Sequence, residues 1–503
     1  MDLWGFFSWL LLTVLAGAVL AFLLYCSYVK YIHMKFDHIP GPPRDSFFFG
    51  HYPSLRKVMN NDGLIHQTFL EWSETYGHVV RINILHNVSI LVTSPETLKE
   101  FLMSPNYRKD NLVFDRMYGI FGERCLGKGL LTSTDNDRWY KQRRIFDPAF
   151  SRTYLMGLMG TFNEKAETLM EKLAGLADGK TEVSMLDLMS RLTLDVIAKI
   201  AFGLEINSLE DDRTPFPKAI STVMKGLIST REPFVRFYPR NWDYVKDVQE
   251  SVRLLRRTGK ECIELRRKAL ENGEEIPVDI LTQILKSAAL EEYCDEETML
   301  DNFVTFFLAG QDTTANQLGF AVMLLSHAPD VLEKAKAEVD DIIGSKRDID
   351  YDDLSKLQYV TQVLKETLRL YPTAPGTSRL VEKDTVIEGI KIPAEVVLIF
   401  NMYVMGRMGE FFQNPLDFNP DRFSPEAPKP YYTYFPFSLG PRSCIGQIFA
   451  QMEAKVVMAK LLQRYEFELV PGQSFKIMDT GSLRPHDGVV CRLTPRGNTK
   501  ASK

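Results

Sequence analysis

The chain has no cysteine framework. Its six cysteines, at positions 26, 125, 262, 294, 444 and 491, share no short spacing, which excludes a disulfide scaffold and suits a protein facing a reducing compartment. The eight histidines include no H-E-x-x-H pair, so a zinc hydrolase finds no support. Basic blocks are missing as well, and a net charge of −5 argues against nucleic acid as the main partner. Repeats and low-complexity runs are absent. A chain of 503 residues, 45% hydrophobic and 25% charged, has the composition of one large globular domain or two. A phosphate-binding loop is almost there and fails. Gly122 to Gly129 reads G-E-R-C-L-G-K-G, and Gly129 stands where magnesium would need a hydroxyl.

What is present begins at the N-terminus. Leu3 to Val29 carries no charge over 27 residues, long enough at about 1.5 Å per residue to span a bilayer. Lys30, Lys35 and Arg44 follow it and only Asp2 precedes it. The body is therefore expected on the cytoplasmic side, on the endoplasmic reticulum membrane. A cleaved signal would need a shorter apolar core and a small-residue cleavage site. The stretch His38-Ile39-Pro40-Gly41-Pro42-Pro43 is a stiff turn, because proline fixes φ. The expected organisation is a membrane anchor at 1–29, a basic and proline-rich hinge at 30–46, and one domain at 47–503, with the anchor mechanically separate from the core. Residues 79–84 and 89–93 read as a β hairpin. Most of the remainder has helical patterning, with short strand signals near 386–400 and 465–495.

Chemistry concentrates at Phe437 to Gly446, F-S-L-G-P-R-S-C-I-G. Apolar residues at Phe449, Met452, Val456 and Ala459 then recur on one helix face. Cys444 thus stands before a helix N-terminus, where amides and the helix dipole favour a thiolate. Gly440 and Gly446 let the backbone turn near something flat, and Arg442 adds a cation. A lone thiolate of this kind suits an axial haem-iron ligand; a buried, inert cysteine is the blander alternative. Upstream, Trp139 and Arg143 lie one turn apart. Glu296 to His327 reads as a long helix in which Ala309-Gly310-Gln311-Asp312-Thr313-Thr314 should be interrupted, since Gly310 weakens it and threonine hydroxyls compete for carbonyls. Glu366 and Arg369 form E-x-x-R, and Pro420 to Phe423 reads P-D-R-F.

Taken together, F-x-x-G-x-R-x-C-x-G, W-x-x-x-R, A-G-x-D-T, E-x-x-R, P-x-R-F and the proline hinge resemble the cytochrome P450 family over nearly the whole chain. The resemblance implies a mainly α fold with a small β region and a single N-terminal transmembrane helix. It implies haem b (iron protoporphyrin IX) as cofactor, with Cys444 as iron ligand, Phe437, Arg442 and Gly446 in the haem loop, and Trp139, Arg143 and Arg379 at the propionates. It makes Asp312 and Thr313 an acid–alcohol pair for proton delivery, and Glu366, Arg369 and Arg422 a structural network. The implied reaction is monooxygenation with dioxygen. No flavin domain follows, so electrons would come from NADPH–cytochrome P450 reductase, with Lys141 and Arg144 as candidate docking cations. Further stretches at 38–44, 301–307, 403–408 and 434–440 resemble sterol side-chain hydroxylases of that family. They imply a sterol substrate, cholesterol first, in a pocket formed by Phe114, Met117, Leu126, Leu131, Phe306, Ala309 and Thr377. A haem-thiolate isomerase, and a non-catalytic sterol- or haem-binding membrane protein, stay open beside the hydroxylase.

Overall fold

An uninterrupted helix runs from Leu3 to Lys35 in the computed structural model, which describes residues 3–231, 235–291 and 295–497; Cys294 lies outside them. This is the one helix among the described residues long and apolar enough to cross a membrane. It continues six residues beyond Val29, so the first part of the expected hinge, residues 30–35, is helical. Nor is the anchor mechanically separate. Val29, His33 and Phe36 are buried. Phe22 and Tyr25 pack their rings on Phe48, the Tyr25 hydroxyl shares a 2.8 Å hydrogen bond with the His86 ring, and the His33 ring bonds the Leu85 carbonyl at 2.8 Å. Arg44 ties the proline segment to both sides, donating to Asp37 at 2.5 Å and to Asn83 at 3.0 Å.

The helix end docks on a hairpin, Val79–Ile84 paired antiparallel with Asn87–Val92. A parallel partner, Val396–Asn401, and an outer antiparallel strand, Gly376–Val381, complete a four-stranded sheet. Valine, isoleucine and leucine dominate both faces here, and an apolar cluster lies on each side of the sheet. The rest is predominantly helical. A C-terminal hairpin pairs Ile477–Asp479 with Leu483–Pro485.

The central helix, Glu296–Ser326, starts with Asp295 capping the Thr298 amide. From Thr298 to Leu325 it is buried all round except at Ala309, Gly310 and Thr313, as a helix in the middle of a large core must be. The neighbouring helix Met185–Phe202 packs along it, and a Cβ on Gly310 would sit 2.8 Å from Ile197. Glycine is there for that close approach. The expected interruption at 309–314 is absent. The Thr313 hydroxyl donates back to the Ala309 carbonyl at 2.9 Å, and Thr193 supplies a 2.9 Å bond to the Gln311 carbonyl from outside. The threonines therefore add to the helical bonds rather than replace them.

Candidate functional site

The helix that follows the cysteine loop begins at Gln447 and buries Phe449, Met452, Val456 and Ala459. Before it, the Cys444 amide donates to the Phe437 carbonyl at 2.8 Å, which closes the loop on itself. Gly440 has φ +67, and a Cβ there would lie 2.2 Å from the Leu102 carbonyl oxygen, so only glycine fits. Gly446 does something different from what its sequence position suggested. Its φ of −82 suits any residue; its part is an amide that donates to the Cys444 sulfur. The Cys444 side chain is accessible, yet it is recessed among protein atoms. Burial pushes its thiol up, and the Gly446 amide, Arg143 and Lys109 only partly oppose this. A metal cation would reverse that balance by binding the thiolate directly.

Around this loop the cations outnumber their counter-ions. Arg442 donates to the Ser133 carbonyl at 2.8 Å and to Asn136 at 2.7 Å, and its guanidinium lies 4.1 Å from the centre of the Trp139 ring. Burial and the neighbouring Arg379 bring its pKa down to about 9. Arg379 is fully buried, two of its nitrogens have no hydrogen-bond partner, and burial brings it down to about 10. Lys109 donates to the Leu131 carbonyl at 2.7 Å; burial, Arg442 and Arg379 hold it well below the usual lysine range. The nearby carboxylates look elsewhere. Asp110 accepts from the Val113 amide and the Ser378 hydroxyl, and Asp135 from the Arg138 amide. Buried charge without a counter-ion is costly, so the cluster calls for an anion. Arg143 joins its edge, bonding the Ser443 carbonyl at 2.8 Å and Asp147 at 2.5 Å. Lys109 was not singled out in the sequence; Tyr107-Arg108-Lys109-Asp110 reads as an ordinary charged loop.

Asp312 and Thr313 are adjacent but face differently. Thr313 is on the accessible side of the central helix with Ala309, whereas Asp312 is buried and accepts from Ser482 and, at 3.2 Å, from Asn316. Burial raises the Asp312 carboxyl above its ordinary range.

The third group lies apart from the loop. Glu366 and Arg369 are completely buried and joined by two 2.7 Å hydrogen bonds. Arg369 also donates to the carbonyls of Gly406, Pro415 and Asp417, at 2.5, 2.6 and 3.0 Å, so all five of its N–H groups are used. Arg422 donates to Glu366 at 3.3 Å and to the Asn414 carbonyl at 2.7 Å.

The residues read as a pocket divide. Ala309 is accessible on the central helix, and Thr377 and Met117 are half-buried. Phe114 is buried with the Lys109 ammonium 4.2 Å from its ring centre. Leu126 belongs to the main core and Leu131 is 38% exposed. Phe306 is buried between Phe146 and Phe150, with ring centres 5.4 and 5.2 Å away, which makes it a core contact at the end of the accessible stretch.

The loop that resembles a phosphate-binding motif has an internal anion. The Lys128 amide donates to Asp301 at 2.8 Å, as does Arg124 at 2.6 and 2.9 Å. A Cβ on Gly127 would lie 2.1 Å from the Asp301 carboxylate. Among the described residues no group of three or more His, Cys, Asp or Glu could hold a metal ion, so the metal chemistry on offer is that of a single cysteine.

A mainly helical fold with a small β region that sets one cysteine beside cations without counter-ions suits a protein that takes up an anionic group close to a metal-binding sulfur. A cytochrome P450 family profile matches residues 40–492, and the chain belongs to that family. It is 30% identical over 450 residues to cytochrome P450 4d2 of Drosophila melanogaster, covering 84% of this chain and 87% of that one. It is 27% identical over 520 residues to cytochrome P450 3A29 of Sus scrofa, covering 99% of each. It is 30% identical over 405 residues to cytochrome P450 CYP72A613 of Trigonella foenum-graecum, covering 76% of this chain and 74% of that one. Members of the family are haem-thiolate monooxygenases that bind haem b and take electrons from redox partners such as NADPH–cytochrome P450 reductase. The residues present fit that group: a lone recessed sulfur for the iron and buried cations for two propionates.

Proposed function

We propose that this monooxygenase is anchored in the endoplasmic reticulum membrane and hydroxylates the side chain of a sterol, cholesterol at C24 being the first candidate. The observation that carries the substrate is the set of stretches at 38–44, 301–307, 403–408 and 434–440, which resemble cholesterol 24-hydroxylase. The relatives' names specify no substrate. Met117 and Ala309 are apolar and not fully buried, which suits a ligand that gains by burying area, and an N-terminal apolar helix suits one that partitions into lipid.

In this reading haem b supplies the oxygen activation and the oxidation, with Cys444 as its thiolate ligand. Arg379, Arg442, Arg143 and Lys109 hold the propionates, which relieves the unpaired buried charge, and Trp139 keeps Arg442 in place. Asp312 is the proton source, and Thr313, on the accessible side of the central helix, passes the proton on through its hydroxyl. Glu366, Arg369 and Arg422 fix the segment 406–422 against the helix that carries the E-x-x-R motif. The Ser378 hydroxyl, on the strand beside Thr377, donates to Asp110 rather than standing open to a ligand.

The test is a titration of the purified protein with cholesterol, followed by product identification with NADPH and reductase. A spectral change at the haem and a side-chain alcohol support the reading. No shift and no product with any sterol would leave the family standing and the substrate class wrong. Turnover of a peroxide without NADPH would favour the isomerase instead.

A further inference from the structure

We infer that Ser482 is the positioning residue for Asp312, holding one carboxyl oxygen from the turn of the C-terminal hairpin so that the other is free to carry the proton. The inference rests on the reading of Asp312 and Thr313 as the proton-delivery pair.

Two side chains close on one carboxyl oxygen of Asp312. Ser482 is buried and its hydroxyl donates to Asp312 Oδ2. Asn316, one helical turn beyond Asp312, donates to the same Oδ2 at 3.2 Å and to the Ser482 oxygen at 2.8 Å. Among the described residues Oδ1 accepts no hydrogen bond. A carboxyl with two donors on Oδ2 keeps its own proton on Oδ1, because protonating Oδ2 would break the better of the two acceptor sites. Burial favours that neutral form, while Ser482, Asn316 and the more distant Arg484 favour the anion. These donors are therefore what stabilise the carboxylate once its proton has left. On release, the O–H bond at Oδ1 breaks with its electron pair left on Oδ1, the Thr313 hydroxyl takes up that proton as it gives its own to the accessible side of the helix, and a proton drawn from bulk solvent later restores the acid.

The seat is stiff. The Leu483 amide donates to the Thr373 carbonyl at 2.9 Å, and the Thr480 amide to the Ser482 carbonyl at 3.0 Å. The Gly481 amide donates to Asp479 at 2.9 Å, and Asp479 accepts from Arg231 at 3.0 Å. Gly481, at φ +100, packs against Met224 of the helix Phe216–Ser229. A hairpin tied at these points holds its serine at a fixed distance from the central helix, whereas a solvent-exposed serine would lose that orientation to rotamer entropy.

The experiment compares Ser482→Ala, Ser482→Thr and Ser482→Cys in the purified holoenzyme with reductase. Expected for Ser482→Ala is unchanged haem content and substrate affinity, about a tenfold fall in the fraction of NADPH electrons reaching product, as loss of one hydrogen bond to a charged group implies, and a larger solvent isotope effect. Ser482→Thr restores both. A second readout needs no turnover. The infrared band of the protonated Asp312 carboxyl, assigned by its loss in Asp312→Asn, shifts in Ser482→Ala and returns in Ser482→Thr. If the alanine variant does not fold, Ser482→Cys, with a weak donor of similar size, should show the same shift and uncoupling. An unmoved band and wild-type isotope effect in Ser482→Ala or Ser482→Cys would overturn the inference. If Asp312→Asn and Thr313→Ala leave coupling intact, the proton-delivery reading itself fails; if they uncouple and the Ser482 variants do not, only the role of Ser482 falls.

Discussion

At the scale of single residues, burial without a counter-charge is the recurring device, and it has two signs. Glu453, on the helix after the cysteine loop, is fully buried, both carboxyl oxygens lack partners, and burial lifts it well above the ordinary glutamate value of 4.5. The native state therefore binds a proton that the unfolded chain releases once the pH passes that value, so stability falls as pH rises from there upward. Glu453→Gln should flatten this slope and make the protein more stable at alkaline pH, which denaturant unfolding at a series of pH values would check. Lys109, Arg379 and Arg442 are the cationic counterpart. A bound anion relieves them, whereas Glu453 has nothing to relieve it but its proton. Replacing Lys109 by methionine should speed haem transfer to an acceptor protein by about tenfold, as loss of a charge-assisted hydrogen bond implies. An unchanged transfer rate would remove Lys109 from the propionate site.

At the scale of elements, close approaches decide which segments can move. The loop 122–129 is held to the central helix through Asp301, and Gly127, at φ +47, has no room for a methyl group. Gly127→Ala should cost about 1–3 kcal/mol, since it combines overpacking with backbone strain. Gly122→Ala, at φ +95 with nothing within 4 Å, should cost only the smaller conformational part, about 1 kcal/mol. Equal losses from the two, measured by urea unfolding, would contradict the wedge. The helix Gln358–Leu370 is joined to 406–422 through the Glu366–Arg369 pair. Removing one member strands the other in the interior. Arg369→Leu should therefore destabilise by about 3–5 kcal/mol, and a loss below about 1 kcal/mol would mean that the charge is reached by water.

At the scale of the molecule, the anchor is part of the domain at its inner end. Truncation through Leu24 removes exposed helix and the single half-exposed Phe22–Phe48 ring contact, and should leave unfolding nearly unchanged. Truncation through Lys35 also removes Val29 and His33, both buried, and should cost about 2–4 kcal/mol, from the lost apolar area and a buried hydrogen bond. Denaturant midpoints of the two truncated proteins would separate these cases, and identical midpoints would restore the picture of a mechanically separate anchor.

What the sequence determined by itself was whatever is written locally. The loop Phe437–Gly446, the periodicity of Phe449, Met452, Val456 and Ala459, the hairpin of residues 79–84 with 89–93, and the E-x-x-R and P-D-R-F motifs each lie within a few positions, where backbone sterics and helical spacing act directly. The tertiary structure decided the partners. Ser482 reaches Asp312 across 170 positions, Lys128 reaches Asp301 across 173, and Arg442 reaches the Ser133 carbonyl across 309. It also kept the central helix continuous at Thr313, against its local propensities, because Thr193 and Ile197 of a neighbouring helix complete its bonds and packing. A hydrogen bond acts over about 3 Å and leaves no trace in the residues beside either partner; only the folded chain brings such pairs within reach.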